Sequence, residues 1–340
     1  MNVGKNGDGL PLRCGIVLAG GEGKRLRSFV QRACGTTLPK QYVSFIGTRS
    51  MLEHTFHRAE KLICPERIFT VVNEDHLVHS EVRRQLANRP RHTIVVQPEN
   101  KETAPGLLLP LIHLYKRYPQ STVTVFPSDH FILEENRFMT HVYLATRLVE
   151  RDPSRSVFLG VEPSSLESDY GYILPGREIF DSFSLGVRAI SSFIEKPTSN
   201  AAHDVIQKGS LWNTMVMVFN TGTLLKKVRQ IATALYDSFK HIEGVIGKPN
   251  YTNVVKDVYR QMESMNFSKG VLEALSRETS SGLTVLPLRG VHWSDWGSER
   301  RIISTLTQVE EEQRPNGFAM GMTEPLSLSA LMATAINLDN

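Results

Sequence analysis

Cysteine is scarce in this chain and spaced badly for structural chemistry. The three residues Cys14, Cys34 and Cys64 are odd in number and far apart, which excludes a disulfide framework and a C-x-x-C metal pair and suits a reducing compartment. Long apolar runs are missing as well. The longest uncharged apolar stretch, residues 103–115, carries two prolines and a histidine and is too short to span a bilayer. Residues 1–10 are rich in Gly and Asn and hold no apolar signal segment, so the expected location is cytoplasmic. No dense Lys/Arg run with interleaved aromatics occurs. The net charge of +4 therefore reads as solvated surface plus an anion site, with neither nucleic acid nor membrane expected as a partner.

What the chain does have is bulk and alternation. At 340 residues with 41% apolar content, it can bury one large α/β core or two smaller ones. Residues 50–62 read as an amphipathic helix, residues 67–72 as a strand, and a helix follows through Leu86. Further strands are expected at 93–96, 121–126, 156–161 and 282–288, with helices from Gly106 and over most of 221–265. Strands and helices alternating at this spacing predict a doubly wound, mostly parallel or mixed α/β sheet.

Residues 14–42 organise the rest. A short apolar strand, Ile16 to Ala19, runs into Gly20, Gly21 and Gly23, where backbone can bend and approach a ligand closely. Lys24 and Arg25 follow on the loop, and Lys40 follows Pro39. A strand, a glycine loop and converging cations suit a polyphosphate. Two commoner glycine loops fail. A dinucleotide fingerprint starting at Gly21 needs glycine where Leu26 stands, and a P-loop needs glycine at Leu18 and Ser or Thr at Arg25.

The stretch does resemble the signature of the sugar-phosphate nucleotidyltransferases, G-G-x-G-[TS]-R-L followed at a distance by P-K. Lys24 stands where Thr or Ser is usual, and the insert 27–38 is long enough to suggest a flexible flap over phosphates. Six more segments carry the likeness in order. Gln97 to Pro105 resembles the E-P-x-x-R-N-T-A-P loop of the mannose-1-phosphate guanylyltransferases, with Glu102 in place of Asn. Pro127-Ser128-Asp129-His130 matches P-[SA]-D-H, and Tyr170-Gly171 matches Y-G-Y-I. Glu195-Lys196 matches F-x-E-K-P, while Trp212-Asn213 matches W-N-[ST]-G with Met215 replacing the glycine. The last, residues 293–298, matches W-x-D-x-G-[ST] at Asp295. Each segment alone also has a plain reading: a polar loop, a helix-capping Asp, a charged pair before proline, buried aromatics.

The resemblance implies a fold of the nucleotide-diphospho-sugar transferase (GT-A/Rossmann-like) type and the reaction hexose-1-phosphate plus NTP giving NDP-sugar plus pyrophosphate. GTP and mannose-1-phosphate are the expected substrates. UTP or dTTP with another hexose phosphate, and a non-catalytic relative that binds nucleotide-sugar and regulates a partner, stay open. It implies catalytic roles for Arg25 and Lys40 on the triphosphate and for Lys196 on the incoming phosphate. It places Ala19, Gly20, Gly21, Gly23, Lys24, Gln97, Asn100, Thr103 and Ser128 at the nucleotide, and Tyr170, Gly171, Glu195 and Asn213 at the sugar. Asp129 and Asp295 would hold Mg²⁺, and His130 would serve as a positioning hydrogen bond. The catalytic domain is expected over 12–306, between a disordered segment 1–11 and a stretch 307–340 that is linker and then helix, packed on the body or on a second copy in a homodimer. No hexapeptide repeat follows, so the β-helix of several relatives is not expected.

Overall fold

A computed structural model of the chain describes residues 11–179, 185–278 and 281–313. Its strands are β1 (Arg13–Leu18), β2 (Ile68–Asn73), β3 (Ile94–Gln97), β4 (Thr122–Pro127), β5 (Phe131–Ile132), β6 (Ser156–Val161), β7 (Gly171–Glu178), β8 (Arg188–Glu195), β9 (Leu211–Asn220), β10 (Leu283–Pro287) and β11 (Trp293–Ser294). Nine of them form one sheet in the order β3-β2-β1-β4-β9-β6-β10-β8-β7, and β5 pairs separately with β11. The first four are parallel throughout. Beyond β4 the sheet turns mixed. β9 runs antiparallel to both β4 and β6, and β7 pairs with β8 and again with β9. Strands β9, β6, β10, β8 and β7 therefore close a ring of pairings.

Because successive strand residues point to opposite faces, each buried strand feeds two cores. Ile16, Val125, Phe158, Met217 and Val285 fall in one apolar cluster, and their neighbours Val17, Phe126, Val157, Val218 and Leu286 in the other. The second cluster is covered by α1 (Arg27–Cys34), α2 (Met51–Glu60), α3 (Ser80–Leu86), α5 (Glu135–Arg151) and α6 (Ser199–Gln207). The first lies under α4 (Thr103–Arg117), α7 (Thr221–Ile231), α8 (Thr233–Val245), α9 (Tyr251–Gln261) and α10 (Glu273–Ser276). A sheet clothed on both faces is the doubly wound arrangement that the alternation predicts.

Local chemistry fixes several boundaries. Ser50 caps α2 with a reciprocal box: its Oγ accepts from Glu53 N at 3.1 Å, and Glu53 Oε2 accepts from Ser50 N at 2.8 Å, an arrangement that stabilises by about 1 kcal/mol. α4 begins at Thr103, ahead of the expected Gly106, since Pro105 sits in the first turn where a missing N–H costs nothing. The insert after the glycine loop is no flap over residues 27–34. It forms α1, with Phe29 and Val30 buried and Arg32 paired to Glu299 at 2.8 Å. Residues Ser268–Leu272 form a π-helical turn that continues into α10, with Val271, Leu272 and Leu275 in the core. The expected boundary at 306 falls inside α11 (Glu299–Gln313). The expected N-terminal segment up to residue 10 and the C-terminal helix at 326–336 lie outside the described residues.

Candidate active site

Parallel strands gather their carboxyl ends on one edge, and the chain's glycine loop and aspartate loop leave the sheet there side by side. β1 leads into Gly20–Gly23 and β4 into Ser128 and Asp129, with Leu18 opposite Pro127. An open cleft of about 420 Å³ is lined by Gly23, Lys24, Arg25, Lys40, Asn100 and Asp129, together with Glu102 and Gly297. The glycine loop is fastened from behind. Gln41 Nε2 donates to the carbonyls of Ala19 (3.0 Å) and Gly21 (2.7 Å), and Tyr42 OH donates to Ala19 O at 3.0 Å. The N–H groups of Gly20, Gly21, Glu22 and Gly23 donate to no acceptor among the described residues. Carbonyls tied back and amides left unpaired make a seat for anionic oxygen.

Lys40 joins the two aspartate loops. It is 7% exposed; its Nζ lies 3.1 Å from Asp129 Oδ2 and donates to the carbonyls of Asp295 (2.5 Å) and Trp296 (3.0 Å). Asp295 Oδ1 accepts three bonds, from Tyr170 OH at 2.9 Å, Arg301 NH1 at 2.8 Å and Gly297 N at 2.9 Å. Burial alone would raise the Asp295 carboxyl, but Lys40 and Arg301 hold it below the usual range. One oxygen on each carboxylate, Asp129 Oδ1 and Asp295 Oδ2, accepts no hydrogen bond from the described residues. Two hard oxygen donors beside a phosphate seat are of the kind that would hold Mg²⁺. His130 lies behind them. Trp293 Nε1 donates to its Nδ1 at 3.2 Å, and burial lowers its pKa, so it stands as a neutral spacer.

The residues expected at the sugar are brought together by register. Gly171 pairs with Glu195, and Tyr172 pairs with Trp212 next to Asn213. A Cβ on Gly171 would sit 2.6 Å from Glu195 Oε2 and 3.5 Å from Asn213 Cβ, so a side chain there would displace the Glu195 carboxylate where these three converge. Burial, with Glu273 and Glu102 nearby, raises the Glu195 pKa. Four non-glycine residues among those described have left-handed φ: Glu102 (71°), Lys196 (48°), Met215 (56°) and Trp296 (46°). Glu102 lines the cleft, Lys196 and Trp296 each follow a residue expected at the site (Glu195 and Asp295), and Met215 lies in β9 two residues past Asn213; each costs on the order of 1–3 kcal/mol that only surrounding contacts can sustain. Those contacts are present: Glu102 N donates to Asn100 Oδ1, Lys196 N to Tyr170 O, Met215 N to Asn213 Oδ1 and Trp296 N to Ser294 Oγ.

Comparison with known proteins agrees with this layout. A sequence profile described as "Nucleotidyl transferase" matches residues 14–312. The chain belongs to the nucleotidyl transferase family. It is 29% identical over 300 residues to the xanthan biosynthesis protein XanB of Xanthomonas campestris, covering 87% of this chain and 59% of that protein. It is 26% identical to a putative mannose-1-phosphate guanylyltransferase of Vibrio cholerae, covering 90% of this chain and 62% of that one. The chain thus spans about three-fifths of the length of the curated relatives it matches. Among solved structures, one from Thermus thermophilus named a mannose-1-phosphate geranyltransferase superposes with a TM-score of 0.69 at 23% identity, covering 86% and 79% of the two chains. A UDP-glucose pyrophosphorylase bound to UDP-glucose superposes at 0.52 with 14% identity, covering 89% and 99%.

For this nucleotidyltransferase, the structure brings most of the expected site residues together and reassigns several. Ser128 donates its hydroxyl to Leu18 O at 2.7 Å, and Thr103 Oγ1 accepts from Phe267 N at 2.8 Å, so both hydroxyls are used inside the protein. Tyr170 is buried with its hydroxyl on Asp295, which makes it part of the carboxylate cluster rather than a side-chain sugar contact. Gln97 is buried: its Nε2 donates to Asn73 Oδ1, and its Oε1 has no partner, leaving an acceptor beside the loop expected at the base. Arg25 reaches across to Asp169 Oδ2 at 3.1 Å, with both side chains largely exposed. Lys24 pairs with Glu22 at 2.6 Å, and Lys196 is exposed.

Arg301 escaped sequence reasoning. It binds Asp295, reaches Glu167 Oε2 at 2.9 Å and Asp169 Oδ2 at 3.6 Å, and stacks over the Tyr170 ring at 4.4 Å. In sequence it sits in a run, Ser-Glu-Arg-Arg, that reads as a solvated helix face. Gln41 and Tyr42, adjacent to the matched Pro39-Lys40, were within reach of a reader who asked what holds the glycine loop.

Proposed function

We propose that this chain makes GDP-mannose and pyrophosphate from GTP and mannose-1-phosphate. The observation that carries the reading is the seating of a glycine loop with unpaired amides, Arg25 and Asp129 on one cleft, together with the convergence of Gly171, Glu195 and Asn213. Its support for the sugar and base comes from relatives named mannose-1-phosphate guanylyltransferases. The sugar phosphate is itself a nucleophile near neutral pH, so no general base is needed. The protein's task is to offset repulsion between two anions and align the sugar phosphate with the α-phosphorus. The amides of Gly20–Gly23 receive phosphate oxygens. Arg25 exchanges its exposed partner Asp169 for the triphosphate and steadies the leaving pyrophosphate. Lys196 draws in the sugar phosphate, while Glu195 and Asn213 accept sugar hydroxyls. Lys40 acts from behind, holding Asp129 and the Asp295 loop in place; Mg²⁺, when bound by Asp129 and Asp295, neutralises charge on the phosphates.

The runner-up, UTP or dTTP with another hexose phosphate, draws on the departures at Glu102 and Met215, in the base and sugar loops. Pyrophosphate release with Mg²⁺ and mannose-1-phosphate, compared across GTP, ATP, UTP and dTTP, tests the proposal. Release with GTP alone supports it, and release with a different nucleotide moves the substrate while leaving the mechanism. Arg25→Ala should cut turnover about a hundredfold, or on the order of 3 kcal/mol in the barrier. Silence with every sugar phosphate tried favours a nucleotide-sugar-binding regulator.

A further inference from the structure

The two loops that carry Asp129 and Asp295 are zipped together by β5 and β11, with Phe131 opposite Ser294 and Ile132 opposite Trp293. Neighbouring residues on these loops line two different cavities. Asp129 and Gly297 face the cleft described above, while His130, Phe131 and Trp296 line a second pocket of about 240 Å³. Its aromatic part is ordered: Phe131 stacks on Trp296 with centroids 5.0 Å apart, and Phe45 meets the same indole edge-on at 5.3 Å. The rest of its lining is apolar, with Ile46, Met51, Ile132 and Leu133, and basic, with Arg49, His54, His57 and Arg58 against Glu135, the one carboxylate among the lining residues.

Glu135 cannot balance that set. Arg58 NH1 holds it at 3.0 Å, and His54 and Lys61 also reach it, at 3.8 and 3.7 Å. Arg49 and His57 are exposed and have no hydrogen bond or ion pair among the described residues. The uncommitted charge of Arg49 beside a pocket with aromatic and apolar walls favours an anion that carries a flat or apolar body. A cavity of about 150 Å³ is enough for benzene, so this pocket has room for one ring and a phosphate but not for a nucleotide.

We propose that this pocket is a second ligand site, taking a small phosphate ester whose ring or apolar group packs against Phe131 and the apolar lining and whose phosphate is held by Arg49 and His57. Its occupancy bears directly on the aspartate loops. Trp296 has a left-handed backbone, and its carbonyl accepts from Lys40, which holds Asp129. A ligand packed against Phe131, which stacks on the buried indole, therefore biases the Lys40 strut from the far side. An effect on turnover rests on the function proposed above; the binding itself does not.

The test is calorimetric titration of the whole chain with phenyl phosphate. Saturable binding is expected, at least tenfold tighter than inorganic phosphate. Arg49→Glu, a surface change, should weaken it at least tenfold, and Ile46→Trp, which fills the pocket, should abolish it in a protein whose circular dichroism is unchanged. Saturating GTP and Arg25→Ala should leave it unaltered. No saturable binding overturns the proposal. So does binding that GTP competes away while Arg49→Glu leaves it intact, because the ester would then occupy the main cleft.

Discussion

The two walls of the cleft solve the same problem by opposite means. In the glycine loop after β1, the left-handed turn falls on a glycine, Gly23 at φ 61°, and the loop is steadied by Gln41 and Tyr42 from behind. Its cations Lys24 and Arg25 stay exposed, in ion pairs that are worth little in water. On the ring side, the left-handed positions Lys196 and Met215 carry side chains, and they are sustained by strands that pair on both edges. A relaxed loop with movable cations suits the capture of a triphosphate that differs little from one NTP to another. A strained, cross-braced wall suits the reading of fixed hydroxyl positions. Lys40 and Arg301 tie the two together.

Removing a tie should therefore do more than altering either wall. Lys40→Met leaves Asp129 and two carbonyls without their cation, so stability should fall on the order of 3 kcal/mol. Turnover should drop about a hundredfold or more. Urea denaturation checks the first and pyrophosphate release the second; unchanged stability would show that Lys40 is no strut. Arg301→Ala comes next. It frees Asp295, Glu167 and Asp169 at once, and kcat should fall about tenfold to a hundredfold while KM for the nucleotide changes little. Arg301→Lys should rescue poorly, since an ammonium cannot fork between Asp295 and Glu167. A loss confined to KM, or full rescue by lysine, would argue against a positioning role.

Two carboxylates let pH sharpen the same contrast. Burial would raise Glu135, but His54 and Arg58 depress it to about 2. Glu195 on the ring side is raised, chiefly by burial. With a depressed folded pKa, the Glu135 contribution is present above the ordinary value near 4.5 and is lost as pH falls from there through about 2. The sign for Glu195 is reversed: its contribution is complete below the ordinary carboxylate value and fades as pH rises through the folded one. Stability titrations from acid to neutral should show Glu135→Gln flattening the acid-side fall and Glu195→Gln removing a loss that sets in at higher pH. Equal curves for wild type and both variants would refute the assignment. The smallest effect is expected from Met215→Gly. Relief of left-handed strain, about 1–2 kcal/mol, is offset by lost packing and a more flexible unfolded chain, leaving stability within about 1 kcal/mol of the parent. The KM for the sugar phosphate should nevertheless shift severalfold, and an unchanged value would place Met215 away from the sugar.

The sequence by itself determined the alternating strands and helices, the glycine loop and the order of the motifs, because apolar periodicity and glycine placement act over a few residues. It also located Asp129, Glu195, Asn213 and Asp295, since each stands within a short segment of recognisable pattern. Tertiary structure decided what those residues do for one another. That Lys40 reaches residues 295 and 296, that Tyr170 spends its hydroxyl on Asp295, and that Arg301 closes the cluster are contacts across 125 to 256 positions in the chain, apart from Arg301, six residues from Asp295. Helix α1 replaced an expected flap for the same kind of reason: Phe29 and Val30 find a core that no local window can reveal. The left-handed strain at Glu102, Lys196, Met215 and Trp296 is tertiary too, because a strained backbone persists only where distant packing leaves it no alternative.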